Sequence, residues 1–440
     1  MPDHRAVPSA PSDLPVLRDP AGLPTLPPIA EPGQPWQAID TPALVLVLDA
    51  FERNLQRMQQ AADRAGVALR PHAKAHKCPD IALAQMTRGA VGICCQKVSE
   101  ALPFLRAGVA DIHISNEIAG PAKATLLARM ARHARISVCV DAVVQVRALA
   151  EAAEREQSGL TVLVELDIGQ GRCGVADADA ALRLAERIAA QPRLSFGGLQ
   201  AYHGGIQHVR DHAARREAAA RAAERAGAVA ARLAAAGAPC QVITGGGSGS
   251  VEFDLASGVF TEIQPGSYVF MDGDYGSNEG VAAGGIGGGI EGSGAAEALR
   301  FEHSLFIATT VMSTAAQGQV VVDAGLKSMA VDSGLPWVWE RNTGERNAGE
   351  RNAGERHGGQ FGGGRRSTRL AYVAANDEHG IVRPVPAAGG ELPALPQLGE
   401  PLWLVPGHCD PTLNLYDTLV GVRDGKVESL WPISARGLSR

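Results

Sequence analysis

Lysine is scarce in this chain. It occurs at 74, 77, 97, 123, 327 and 426, six of 41 basic residues, so arginine serves wherever a surface cation is enough. Two of the six lie in one short run, Arg70-Pro71-His72-Ala73-Lys74-Ala75-His76-Lys77. A lysine amine can lose its proton when its surroundings lower its pKa and then attack a carbonyl carbon; a guanidinium stays protonated. A lysine able to form a Schiff base, flanked by His72 and His76, is the chemical expectation here. Pairing with a surface carboxylate is the bland alternative.

A second constellation is Pro406-Gly407-His408-Cys409-Asp410-Pro411. Read as an extended segment, it turns His408 and Asp410 to one side and Cys409 to the other. An imidazole nitrogen with a carboxylate oxygen suits Mn, Mg or Co, whereas a thiolate favours Zn. Two ligands alone do not specify a metal site. Glycine supplies a third feature, in Thr244-Gly245-Gly246-Gly247-Ser248-Gly249-Ser250 and in Gln264-Pro265-Gly266-Ser267, where backbone N–H groups can close on an anion.

These residues need a frame to bring them together. Eight short apolar runs, at 67–74, 91–97, 111–116, 136–141, 161–167, 195–203, 241–246 and 262–271, alternate with Ala/Arg/Leu-rich helical stretches. The alternation predicts an α/β fold, a (β/α)8 TIM barrel over 38–298. Runs at 304–313, 319–323, 370–375, 402–405 and 419–422 predict a mainly β C-terminal domain over 299–440. The apolar run 42–49 is a strand of its own, free to join that β domain. Lys74, Lys97, Asn116, Asp141, Asp167, His203, Gly245 and Gly266 then sit at the C-terminal strand ends, where barrel enzymes gather their sites. The two glycine loops follow strands seven and eight, the usual phosphate position in barrels. Residues 1–37, rich in Pro, read as a flexible extension. The glycine-rich 284–294 and the repeat ERNTG-ERNAG-ERNAG-ERHGG within 340–364 hold too few apolar residues to pack, and read as mobile insertions.

Composition narrows the class of function. Hydrophobic residues at 45% and charged residues at 20% describe a globular protein, not a disordered chain or a membrane bundle. The net charge of -6 and the lack of a basic run argue against nucleic acid as a partner. No apolar run reaches about 18 residues and no signal peptide is visible, so a membrane partner is not expected. Seven cysteines without a CxxC pair read as reduced thiols of a cytoplasmic protein.

Lys74 at a strand end, a phosphate cradle and a second β domain together point to pyridoxal 5'-phosphate, its aldehyde on Lys74 and its phosphate on backbone amides. The run 70–77 resembles the RPHxKTHK segment of the D-threonine aldolase and D-serine dehydratase family, with Ala75 where Thr is usual. Further matches include Gln96-Lys97-Val98-Ser99-Glu100-Ala101, Asp167 to Gly174, Tyr202-His203-Gly204-Gly205, Gln264 to Tyr268 and Asp272-Gly273-Asp274-Tyr275. The resemblance runs from about residue 38 onward, interrupted by the two insertions. It implies a fold like that of alanine racemase, a homodimer, and Lys74 as the cofactor lysine. Gln96, Arg172, Tyr202, Thr244, Gly245, Gly246, Gly266, Ser267 and Tyr275 are the matching cofactor-binding positions, with Tyr202 facing the pyridine ring. His408 and Asp410 match the metal pair. Family aldolases carry His-x-Asp there and the dehydratases His-x-Cys, so Asp410 implies an aldolase acting on a D-3-hydroxy amino acid. His72, His203 or a metal-bound water could take the substrate proton. The competing readings are a dehydratase of the same family, a non-catalytic pyridoxal phosphate-binding protein, and a metal-dependent barrel hydrolase using His72 and His76.

Overall fold

The computed structural model describes residues 23–280, 299–341 and 363–440. The expected insertion 284–294 lies outside the described residues, as does nearly all of 340–364. Eighteen strands occur among the described residues. β1 (Ala43–Val47) is followed by the barrel strands β2 (Ala68–Leu69), β3 (Ile93–Cys95), β4 (Asp111–Glu117), β5 (Arg135–Val140), β6 (Leu160–Glu165), β7 (Leu194–Ala201), β8 (Val242–Gly245) and β9 (Glu262–Ile263). They are parallel, in the order β2-β9-β8-β7-β6-β5-β4-β3, and a parallel bridge between His72 and Cys94 closes the ring. Central β5 and β6 are mostly apolar, interrupted inside by Ser137 and Thr161 alone, because both faces of a parallel barrel strand are covered.

Two barrel strands stop well short of the apolar runs that announced them. β2 ends at Leu69 because Pro71 has no N–H to give a ladder, and Ala73–Ala75 then turns as a 3-10 helix capped by His72. β9 ends at Ile263 just before Pro265, and Ser267–Val269 forms a second such turn. Lys74 and Ser267 are thus carried by turns above the barrel rim.

The second sheet contains β10 (Leu305–Ser313), β11 (Val320–Val322), β12 (Trp337–Arg341), β13 (Gly364–Arg366), β14 (Leu370–Ala375), β15 (Gly380–Pro384), β16 (Pro401–Val405), β17 (Thr418–Arg423) and β18 (Lys426–Pro432). Its main path is β13-β12-β16-β10-β1-β17-β18. β1 lies in the middle, antiparallel to β10 and parallel to β17, and all five of its residues are buried. Four strands escaped the apolar-run criterion: β12, β13, β15 and β18. β13 and β18 mix exposed with covered positions, so no continuous apolar run marks them. The ends of the expected mobile insertion are also corrected, since Glu340 and Arg341 pair with Arg365 and Gly364.

The extension expected over 1–37 is shorter than its composition implied. Trp36 is 4% exposed and meets Trp403 edge-on with ring centroids 5.2 Å apart; Ala30 and Ile39 are buried beside it. The Gly33 and Trp36 N–H groups donate to the carbonyls of Val427 and Gly425. Burying an indole outweighs the conformational freedom that a proline-rich segment would otherwise keep. No helix among the described residues is long and apolar enough to cross a membrane.

Candidate active site

A cavity of about 150 Å³ opens at the C-terminal end of the barrel, lined by groups from both sheets. Lys74 stands in its wall on the turn after β2. The turn is fixed from below: the Lys74 N–H donates to His72 Nδ1 at 3.3 Å, and the other His72 nitrogen lies 3.2 Å from Gln96 Oε1 and 3.0 Å from Ser115 Oγ. Burial, with the Lys74 cation adding to it, pushes the His72 imidazole well below its usual range, so it is neutral. With Nδ1 accepting, Nε2 carries the proton, and both nitrogens are committed to holding the turn.

The two lysines of the motif have different fates. Lys77, buried and at φ +49°, is ion-paired with Glu100, whose other oxygen accepts the N–H groups of Gln96 and Lys97 at 3.1 Å each. Lys74 makes no ion pair within 4 Å among the described residues. Burial opposes its charge, but Tyr202 and then Asp410 outweigh burial and hold its amine above the usual value. That direction is contrary to the lowered pKa that reactivity alone would suggest.

Opposite Lys74, Arg172 stacks over the Tyr202 ring at 5.5 Å. Gln200 and Gln264 join their amides across the floor, at 2.8 Å for the shorter contact, and Gln264 also donates to Thr244 Oγ1 at 2.8 Å. One wall is formed by Gly247, Ser248, Gly266 and Ser267. Among the described residues the N–H groups of Ser248, Gly266 and Ser267 donate to no acceptor of the chain, leaving a set of free donors suited to a phosphate. A side chain at Gly266 would place its Cβ 3.0 Å from the His72 carbonyl, so glycine is what lets this loop close on the lysine turn.

His408 and Asp410 reach the cavity from the connection between β16 and β17. That connection is stitched to the barrel. Gly273 and Asp274 N–H donate to the carbonyls of Pro406 and Gly407, and Cys409 N–H donates to Asp272 Oδ2 at 2.8 Å. The segment is not extended throughout, as the sequence reading had it. His408 is extended, but Cys409–Leu413 is a helical turn with Asp410 in its first residues, and Cys409 is buried beneath. Both metal candidates still face the cavity. Asp332 Oδ2 lies 2.7 Å from His408 Nδ1, the carboxylate–imidazole arrangement that aims the other nitrogen at a metal. Burial opposes charge on His408, and Asp332, Asp410 and Asp272 together raise it above the usual value. Ser267 Oγ donates to Asp410 at 3.2 Å, linking the glycine loop to the acid.

Of the residues expected to form a site, the cavity brings together His72, Lys74, Gln96, Arg172, Tyr202, Gly266, Ser267, Tyr275, His408 and Asp410. It does not bring in His203, Thr244, Gly245 or Gly246. The buried Nδ1 of His203 has no hydrogen-bond partner among the described residues, and its ring lies against Gly169 and Gly205. The Thr244 hydroxyl donates to Glu262 Oε1 at 2.9 Å, while Gly245 and Gly246 pack on Ala201 and Asp254. Ser115, Gln200 and His208 line the cavity without having been expected. His208 stands on a 3-10 turn after β7 with Nδ1 on Asp274 at 2.5 Å. Its nearness in sequence to Tyr202 was the available signal.

A parallel barrel whose lysine-bearing face is closed by a β domain is the architecture of alanine racemase-like proteins. Residues 46–274 match the alanine racemase N-terminal domain and 304–422 the putative serine dehydratase domain. The chain belongs to the D-threonine aldolase and D-serine dehydratase family of these proteins. It is 51% identical over 415 residues to a D-threonine aldolase of Arthrobacter sp, covering 94% of this chain and 97% of that one. It is 40% identical over 414 residues to a 3-hydroxy-D-aspartate aldolase of Paracoccus denitrificans, covering 93% and 95%. The crystal structure of D-threonine aldolase from Filomicrobium marinum superposes with a TM-score of 0.81 at 43% identity, over 94% of this chain and all of that one.

Proposed function

We propose that this protein is an aldolase, dependent on pyridoxal 5'-phosphate and a divalent metal ion, that cleaves D-3-hydroxy amino acids of the D-threonine type to glycine and an aldehyde. The observation that carries the reading is the convergence of Lys74 from the barrel with His408 and Asp410 from the β domain on one cavity. When bound, the cofactor supplies an acceptor for the electron pair left by Cα–Cβ cleavage, and the ion supplies Lewis acidity at the substrate 3-hydroxyl.

The chain's own residues divide the remaining work. Lys74 presents the amine that holds the cofactor. The free N–H groups of Ser248, Gly266 and Ser267 would hold its phosphate, and Tyr202 with Arg172, Gln96 and Tyr275 would line the space for its ring. His72 keeps the Lys74 turn in place and, with both nitrogens engaged, is a positioning residue. His408 and Asp410 hold the ion; their nitrogen-plus-oxygen donor set fits Mn, Mg or Co better than Zn. His208 has one nitrogen on Asp274 and no hydrogen-bond partner for the other among the described residues, so of the imidazoles lining the cavity it is the one placed to accept the hydroxyl proton.

The homodimer implied by the resemblance belongs to the same proposal and is checked by mass in solution. So does the cytoplasmic setting, in keeping with seven free cysteines. The deciding experiment supplies D-threonine to the purified protein. Glycine with acetaldehyde is expected; 2-oxobutanoate with ammonia would make it a dehydratase instead.

A further inference from the structure

Three adjacent barrel strands deliver acids to the rim that the proposed reaction does not use. Glu117 ends β4, Asp141 follows β5, Glu165 ends β6 and Cys173 lies in the loop beyond. One ligand atom from each of Glu117, Asp141 and Cys173 falls within 4.8 Å of the others. Neighbouring parallel strands, about 4.8 Å apart, bring such ends side by side.

Glu165 is the independent observation. Its side chain is 3% exposed, and its Oε2 has no hydrogen-bond partner among the described residues. It is turned onto Glu117, whose buried Oε1 is also unpartnered, and the Cys173 thiol reaches the same Glu117 carboxylate. The compensation available is thin. Arg172 is 3.6 Å from Glu165 Oε1, and Asp141 accepts from Gln145 Nε2 at 2.8 Å and Gly174 N–H at 3.2 Å. Two carboxylates turned onto each other through buried oxygens, with only a thiol and one distant guanidinium beside them, are relieved by a shared proton or by a cation there.

We propose that Glu117, Asp141 and Cys173 hold a divalent transition-metal cation, with the buried Glu165 carboxylate beside it, in a site separate from His408 and Asp410. Two carboxylates with one sulfur favour Co(II) or Zn(II) over Mg(II), because the hard oxygens are shared with a soft donor. Binding displaces the Cys173 thiol proton to solvent. The site does not depend on the aldolase reading; only the second cobalt in the test rests on the His408–Asp410 pair.

The test uses holoenzyme stripped by chelation and dialysed against Co(II). Wild type is expected to bind two cobalt ions per chain and His408→Ala one, with a thiolate-to-cobalt charge-transfer band that Cys173→Ser in the same background lacks. In His408→Ala, cobalt is expected to slow iodoacetamide labelling of Cys173, followed by peptide mapping, at least about tenfold, since a metal-bound thiolate is not free to attack. That measurement needs no substitution at the carboxylates, so it survives any folding failure there. A His408→Ala protein that binds no cobalt and labels Cys173 equally fast with and without it would overturn the site and leave Glu117 and Glu165 sharing a proton.

Discussion

Lys74 and Lys77 are three residues apart, and the structure assigns them opposite dependencies. Lys77→Ala removes the cation from a pair whose side chains are 9% and 5% exposed. Breaking a buried pair from one side costs about 3–5 kcal/mol because the surviving charge is left without its partner. Glu100 keeps the N–H groups of Gln96 and Lys97, which places the expectation at the lower end, about 3 kcal/mol. That is roughly a hundredfold in the folding equilibrium. Lys74→Ala breaks no ion pair among the described residues and shortens a side chain that borders a cavity, so its stability should change by less than about 1 kcal/mol. Cofactor attachment should show the reverse pattern. Urea unfolding of the cofactor-free proteins measures the first effect; borohydride reduction and peptide mapping of the loaded proteins measure the second. Lys77→Ala should remain yellow and label at residue 74, whereas Lys74→Ala should be colourless. A folded Lys77→Ala protein that cannot be labelled, or a Lys74→Ala protein destabilised by several kcal/mol, would refute the division of labour.

Three further outcomes are expected. Chelation should give an inactive protein that remains yellow and is rescued by Mn, Mg or Co; His408→Ala and Asp410→Ala should resemble it and resist rescue, which glycine release from D-threonine measures. Asp254, buried and pushed up to about 7 by that burial, has a folded pKa above its unfolded value of about 4. The stability it contributes is therefore full below about pH 4 and lost as the pH climbs through about 7, and Asp254→Asn should flatten that decline in urea midpoints. Replacing residues 342–362 with a short Gly/Ser linker should leave turnover within about twofold, since β12 and β13 already pair across the junction and loop length costs little; a large loss would show the insert to be part of the working site.

The barrel was legible because each parallel strand is an apolar run bounded by loops, and Lys74 because lysine is otherwise so sparingly used. What sequence reading missed depends on partners distant along the chain. Thr244 belonged to the expected phosphate loop, but Glu262 claims its hydroxyl, and Gly247 and Ser248 face the cavity instead. His203 was the base expected after β7, yet its ring lies against Gly169, and His208 on the following turn faces the cavity instead. The spacing of His408 and Asp410 revealed a pair but neither the helical turn that carries Asp410 nor Asp332, 76 residues away, which orients the imidazole. Trp36 was hidden by its proline-rich surroundings, because its receiving surface at Trp403 is built by the other end of the chain.

The placement of β1 has a consequence for how the chain is made. Its strand partners are β10 and β17, so it has no neighbour in the sheet when the ribosome first releases it. The barrel strands through Ile263 can emerge and pair while β1 waits unpaired for β10, and its second edge stays open until β17 is completed at residue 423. Such edges are aggregation-prone while they wait. A nascent chain stalled before β17 therefore carries a sticky strand beside a nearly finished barrel, and release of the last β-domain strands is the event that lets the N-terminal segment fold away.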